Sequence, residues 1–126
     1  MHYAIFCYND ENLVSAWSPP QRAAVMARLG DVQAKLRAEN RLGPVARLLP
    51  TTAAVTLRKG RDDLVLDGPF AETREQLLGF YVVDCDSLEQ AVAIARELLH
   101  ANEGAGGYEI RPLRAFRPGT LAELPA

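Results

Sequence analysis

Asp67 is the side chain best placed for acid–base chemistry. It closes a short apolar run, Leu64 to Leu66, and stands directly before Gly68-Pro69, a permissive torsion followed by a fixed one. A carboxylate there has two uses, and the sequence leaves both open. It can accept backbone N–H groups in an Asx-type turn and fix the bend. It can also face a cleft as a general acid or base, which burial would tune by raising its pKa toward neutrality. Phe70 either plugs the turn or stacks a flat ligand at a pocket edge. Arg74 carries the planar fork that holds a ligand carboxylate in bidentate fashion. Its neighbours Glu72 and Glu75 also allow local ion pairs, which when exposed contribute under ~1 kcal/mol. Gly79 and Tyr81 share one face of a strand. If that face lines a cleft, Gly79 leaves room for a ligand and the Tyr81 hydroxyl offers a polar contact; otherwise Tyr81 is a core tyrosine with a satisfied hydroxyl.

The remaining reactive side chains point elsewhere. Cys7 and Cys85 are too few and too far apart in sequence for a disulfide framework or a zinc site, and read as reduced, mostly buried thiols. Asp84 and Asp86 flank Cys85 as a polar strand-to-helix corner, with no histidine or third carboxylate at ligand spacing. His100 falls in the last turn of a helix, where its partial charge suits the dipole. His2 begins the first strand; it can reach a cleft from there, but as a lone histidine it reads as structural or solvated. No Walker A sequence, dinucleotide fingerprint or nucleophile elbow is present, so the expectation is no cofactor and no metal.

The elements that must position these groups follow from periodicity. Residues 2 to 8 form a continuous apolar run, as in a central strand covered on both faces. Asn9 to Asn12 break it, and Leu13 to Trp17 read as a loop or single turn. Ser18-Pro19-Pro20-Gln21 is a helix start, with Val25, Leu29, Val32 and Leu36 as one apolar stripe, and the helix should end near Asn40, before Gly43-Pro44. Val45 to Leu49 is a short strand. Ala54 to Lys59 alternates and turns at Gly60 to Asp63 into Leu64, an inserted hairpin that leads into Asp67. Leu78 to Val83 is a second strongly apolar strand. Ser87-Leu88-Glu89-Gln90 repeats the helix start, Asn102 and Gly104 stop that helix, and Tyr108 to Pro112 close the domain as a last strand. Leu113 to Ala126 is either a frayed tail or an arm on a neighbouring subunit.

The chain of 126 residues fits one domain, and its 48% hydrophobic and 24% charged residues are ordinary for a globular protein. A net charge of −2 gives no attraction for phosphate backbones, so nucleic acid is not an expected partner. No apolar run approaches bilayer length and the start lacks a signal-peptide pattern, so no membrane partner is expected and cytoplasmic residence is the default.

The run Asp67-Gly68-Pro69-Phe70, followed by Glu72-Thr73-Arg74-Glu75-Gln76 and Gly79-Phe80-Tyr81, resembles the signature of the DGPF subgroup of the YCII-related family. The opening MHYAIFCY, Ser87 to Ala91 and Tyr108 to Pro112 extend the resemblance over most of residues 1 to 113, leaving 114 to 126 as a C-terminal tail. The resemblance implies a ferredoxin-like chain that dimerises into an α+β barrel with a cleft in each half. It also implies small-molecule chemistry in some relatives, including removal of chloride from a hydroxylated ring, and genes that often lie beside extracytoplasmic-function sigma factors. Two departures stand out. Members of the other main subgroup carry a histidine early in the first helix, proposed as catalytic with an aspartate, whereas here none lies between His2 and His100. The subgroup usually has two glycines before the Phe-Tyr pair, where this chain has Leu78-Gly79.

The expected fold is therefore α+β, a ferredoxin-like β-α-β-(ββ)-β-α-β sheet with two helices on one face. Two strands apolar on both faces and only two helices leave one sheet face uncovered, and a second copy is the simplest cover, so a homodimer is expected. The expected function is a cofactor-free small-molecule enzyme acting by proton transfer on a compact aromatic or conjugated acid, with Asp67 as acid/base and Arg74, Tyr81, Phe70 and Gly79 binding the ligand. The alternative is a non-catalytic ligand-binding or regulatory module linked to a sigma-factor circuit, in which the bend is architectural.

Overall fold

A computed structural model describes residues 1–124 of the chain. The elements run β1 (His2–Asn9), α1 (Glu11–Ser15), α2 (Pro19–Ala38), β2 (Leu42–Arg47), a 3-10 turn (Thr51–Ala53), β3 (Val55–Arg58), β4 (Leu64–Asp67), β5 (Gln76–Asp84), α3 (Leu88–Ala101) and β6 (Gly106–Pro112). The protein is α+β. Four strands form one antiparallel sheet in the order β2-β5-β1-β6, compatible with the ferredoxin-like plan, and β3-β4 form a separate two-stranded sheet.

Both long helices begin where the serines predict. The Ser18 hydroxyl accepts from the Gln21 N–H and the Ser87 hydroxyl from the Gln90 N–H, each satisfying an otherwise unpaired first-turn donor. Pro19 and Pro20 occupy the first turn of α2, where no intrahelical donor is lost. Beyond the helix, Asn40 adopts φ 58°, a left-handed torsion asparagine tolerates. The stretch after Asn9 is more ordered than a loop: the Asp10 carboxylate caps α1 by accepting from the N–H groups of Asn12 and Leu13.

Strand β2 starts earlier than its sequence suggests. Gly43-Pro44 reads as a break, yet both lie inside β2, where the pairing to β5 shifts between Leu42 and Val45. The irregularity absorbs the proline on an edge strand, where its missing N–H costs no ladder bond.

The core lies between the sheet and the two long helices. Tyr3, Ile5 and Cys7 of β1 and Tyr81 and Val83 of β5 face Val25, Leu29 and Leu36 of α2 and Ala91, Ile94 and Leu98 of α3. The alternate residues form the opposite face: Ala4 pairs with Val82 and Arg111, and Phe6 with Phe80 and Glu109. Among the described residues no helix covers this open face. Phe6, Tyr8 and Phe80 are half-buried there, and the Phe6 and Phe80 rings sit 6.4 Å apart.

Candidate functional site

The predicted site residues fall in two places. Asp67 is the last residue of β4 and is exposed. Its bend is held without the carboxylate, by the Gly68 N–H donating to Ala54 O at 2.8 Å and the Thr56 hydroxyl donating to Gly68 O at 2.8 Å. Gly68 takes φ 107°, which a side chain would strain. Among the described residues the Asp67 carboxylate accepts no hydrogen bond and forms no ion pair. Phe70 is 72% exposed, with the Arg58 guanidinium 4.5 Å from its ring centre. Arg74 is exposed in the connection to β5 and forms no ion pair with Glu72, Glu75 or any other described residue.

Gly79 and Tyr81 lie on β5 of the other sheet and share a face, as their spacing requires, but that face is the core side. A Cβ on Gly79 would lie 2.4 Å from the Ala46 carbonyl oxygen, so the space beside it is taken by the β2 backbone. The Tyr81 side chain is buried between sheet and helices, and burial, reinforced by Cys7, raises its pKa. Within one chain no hydrogen bond or ion pair joins Asp67, Phe70 or Arg74 to Gly79 or Tyr81 among the described residues. Cys7 and Cys85 are free and buried. Burial pushes the Cys7 thiol up to about 12, opposed only by the neighbouring Tyr108 hydroxyl, so this sulfur stays protonated.

A polar arrangement absent from the sequence reading stands at the end of the central strands. The antiparallel register of β1 and β5 sets His2 opposite Asp84, with His2 Nδ1 3.3 Å from Asp84 Oδ1. The N-terminal ammonium lies 3.4 Å from the same oxygen and donates to Cys85 O at 2.9 Å. Desolvation works to raise the Asp84 pKa, but the ammonium and then His2 outweigh it and hold the carboxyl below its ordinary value. Arg41 enters from the end of α2: its guanidinium donates to Asp84 O at 3.2 Å and to Asp86 Oδ2 at 3.1 Å. Phe116, from the segment after β6, folds back edge-on to the His2 ring with centres 5.0 Å apart.

His2, Arg41, Asp84 and Phe116 line an open cavity of about 270 Å³, completed chiefly by Leu42, Gly43 and Val82. That is slightly below the usual range of small-ligand sites, about 300–1,000 Å³. One wall is apolar and partly aromatic, and the other carries an imidazole, a carboxylate and a guanidinium. An imidazole held by a carboxylate through one nitrogen keeps the other free to take or give a proton. The signal for this pair was the register of two apolar strands that both end at polar residues. Nothing in the composition of the C-terminal segment marked Phe116.

Among the described residues no cluster of three or more His, Cys, Asp or Glu side chains has metal-binding geometry, and no helix is long and apolar enough to cross a membrane.

Comparison with known proteins places the whole folded region in one group. The YCII-related domain model matches residues 1–117. A protein of Rhizobium meliloti (strain 1021), described as uncharacterized, is 55% identical over 122 residues, covering 96% of this chain and 98% of that relative.

Proposed function

Since this chain belongs to the YCII-related domain family, we propose that it is a cofactor-free small-molecule enzyme that moves a proton on a compact aromatic or conjugated acid. The Asp67-Gly68-Pro69-Phe70 run supports, within this reading, membership of the DGPF subgroup. The observation that carries the proposal is the His2–Asp84 pair, 3.3 Å apart on the wall of a 270 Å³ cavity beneath Phe116.

In this reading Asp84 orients the imidazole through Nδ1, and the opposite nitrogen removes a proton from a carbon next to the conjugated system. The electron pair left behind spreads onto the ligand's carbonyl or carboxylate oxygen, and the same nitrogen returns the proton. Arg41, which lines the same cavity, supplies positive charge where that negative charge develops. Leu42, Val82 and Phe116 supply the apolar wall for a flat ligand.

The protein works as a homodimer in this proposal. Support comes from the open face of the main sheet, where Phe6, Tyr8 and Phe80 form an aromatic surface that no helix of the same chain covers.

Solvent deuterium incorporation into a panel of small aromatic and unsaturated acids, followed by NMR, tests the chemistry. Catalysed exchange should fall at least ~100-fold in His2→Gln, within the usual range for loss of a general base. Exchange that survives in His2→Gln and vanishes in Asp67→Asn would move the acid–base role to the bend. Saturable binding with no exchange would favour the second reading, a ligand-binding module. That reading is supported by the way backbone and Thr56 contacts alone hold the Asp67 bend.

A further inference from the structure

The β3–β4 hairpin is an arm with no body of its own to rest on. Its two strands pair only with each other. An isolated two-stranded hairpin is at best marginally stable in water, and persists when it packs on something else. Both faces of this one are apolar and exposed. Val55, Leu57 and Val65 are each more than 60% exposed on one face, with Asp67 at its edge, while Leu64 and Leu66 lie on the other. Phe70 continues the patch.

The surface area of the whole chain agrees, with the exposed segment after β6 contributing beside the arm. It exposes 9274 Å², whereas a compact monomer of this mass exposes roughly 6,600 Å² by the usual scaling. The surplus is roughly three times the ~800 Å² per partner that a stable dimer buries.

The chain also contains the complementary surface. The open face of the main sheet presents the Phe6 and Phe80 rings, flanked by Glu109 and Arg111 of β6. Those two are exposed and form no ion pair among the described residues. The arm and the connection that follows it carry charges of the complementary kinds, Arg58 and Arg74 to suit Glu109 and Asp67 to suit Arg111. A carboxylate covered by apolar surface needs such a partner, because burying it unpaired is strongly unfavourable.

We propose that the arm is exchanged between copies: the hairpin of each chain lies on the open sheet face of the second copy, so that Asp67 and Phe70 belong to the neighbour's cleft rather than to their own. The proposal rests on the homodimer inferred above and adds which element crosses and what it carries. The interface so formed would set Phe70 over Phe6 and Phe80.

The test is an isotope-filtered NOE experiment on dimers reassembled from one labelled and one unlabelled chain. Contacts from Phe70 and Val65 to the Phe6 and Phe80 rings are expected across the isotope boundary. A dimeric mass with those contacts absent, or confined within one chain, overturns the exchange and leaves the dimer standing. A monomeric mass at the same concentration overturns both. Val65→Lys provides a second reading, since this side chain is 69% exposed and its loss should spare the fold of the single chain. At least a tenfold weaker association is expected, with unchanged amide shifts in the four-stranded sheet; unchanged association would contradict the exchange.

Discussion

His2 and Asp84 occupy directly paired positions of β1 and β5, with Nδ1 3.3 Å from Oδ1, and the N-terminal ammonium approaches the same oxygen at 3.4 Å. The carboxyl is thereby held below its ordinary pKa despite some desolvation. A carboxyl with a lowered native pKa adds stability above its unfolded value, and that contribution disappears as pH falls through the native value. Asp84→Asn should therefore melt below wild type at pH 7, and the gap should close as the pH falls below about 4. Thermal denaturation at pH 7 and near pH 3 measures this. A gap equal at both would contradict the pairing.

Cys7 should be chemically silent in the folded protein. Its pKa rises from 9.0 to about 12, chiefly by burial, so the thiolate fraction at pH 8 falls on the order of a thousandfold. Disulfide reagents should modify the native protein at least ~100-fold more slowly than the denatured chain. The linkage on the alkaline side has the opposite sign to that of Asp84. The protonated thiol favours the fold fully below pH 9 and loses that effect as pH rises toward 12. Rapid native labelling of Cys7 at pH 8 would show that the sheet–helix interface opens readily.

Two glycines should respond oppositely to alanine. At Gly79 a methyl would meet the Ala46 carbonyl oxygen at 2.4 Å, and the β2–β5 pair would have to spread. Gly79→Ala should cost about 1–3 kcal/mol. At Gly30, within α2, nothing lies within 4 Å of the added Cβ, so Gly30→Ala should stabilise the protein by about 0.5–1 kcal/mol. Denaturant unfolding of both variants checks the pair.

Asp67→Asn separates the two uses of the bend. The carboxylate accepts no backbone N–H in the described chain, and Gly68 and Thr56 hold the turn. In the monomeric chain the substitution should change stability by less than about 0.5 kcal/mol. A larger loss there would return Asp67 to the role of a turn-fixing Asx residue.

Much of this architecture was legible because its signals are local. Ser18 and Ser87 announced their helices, since a hydroxyl three residues ahead of a free N–H needs no tertiary context. The apolar runs of β1 and β5 marked the central strands for the same reason, and two helices marked a face left open. Strand β2 was misplaced because an edge strand tolerates Gly43-Pro44 through a register shift that depends on its partner.

The site was less legible. His2 and Asp84 are 82 positions apart, and only the β1–β5 register joins them. Read singly, one was a lone histidine and the other a polar corner. Spacing placed Gly79 and Tyr81 on one face correctly, but which face meets the helices is decided by the whole set of Tyr3, Ile5, Cys7, Tyr81 and Val83 together. Asp67 and Phe70 drew notice as a bend, while their separation from the main sheet is a property of where the hairpin projects, which no local pattern encodes.

The most direct test of the central claim is an NMR titration of the labelled protein with small aromatic and conjugated carboxylic acids at millimolar concentration. The account predicts saturable shifts concentrated at the His2 ring, Phe116 and Val82, lost in His2→Gln. Shifts absent from those three residues across the whole panel would contradict it.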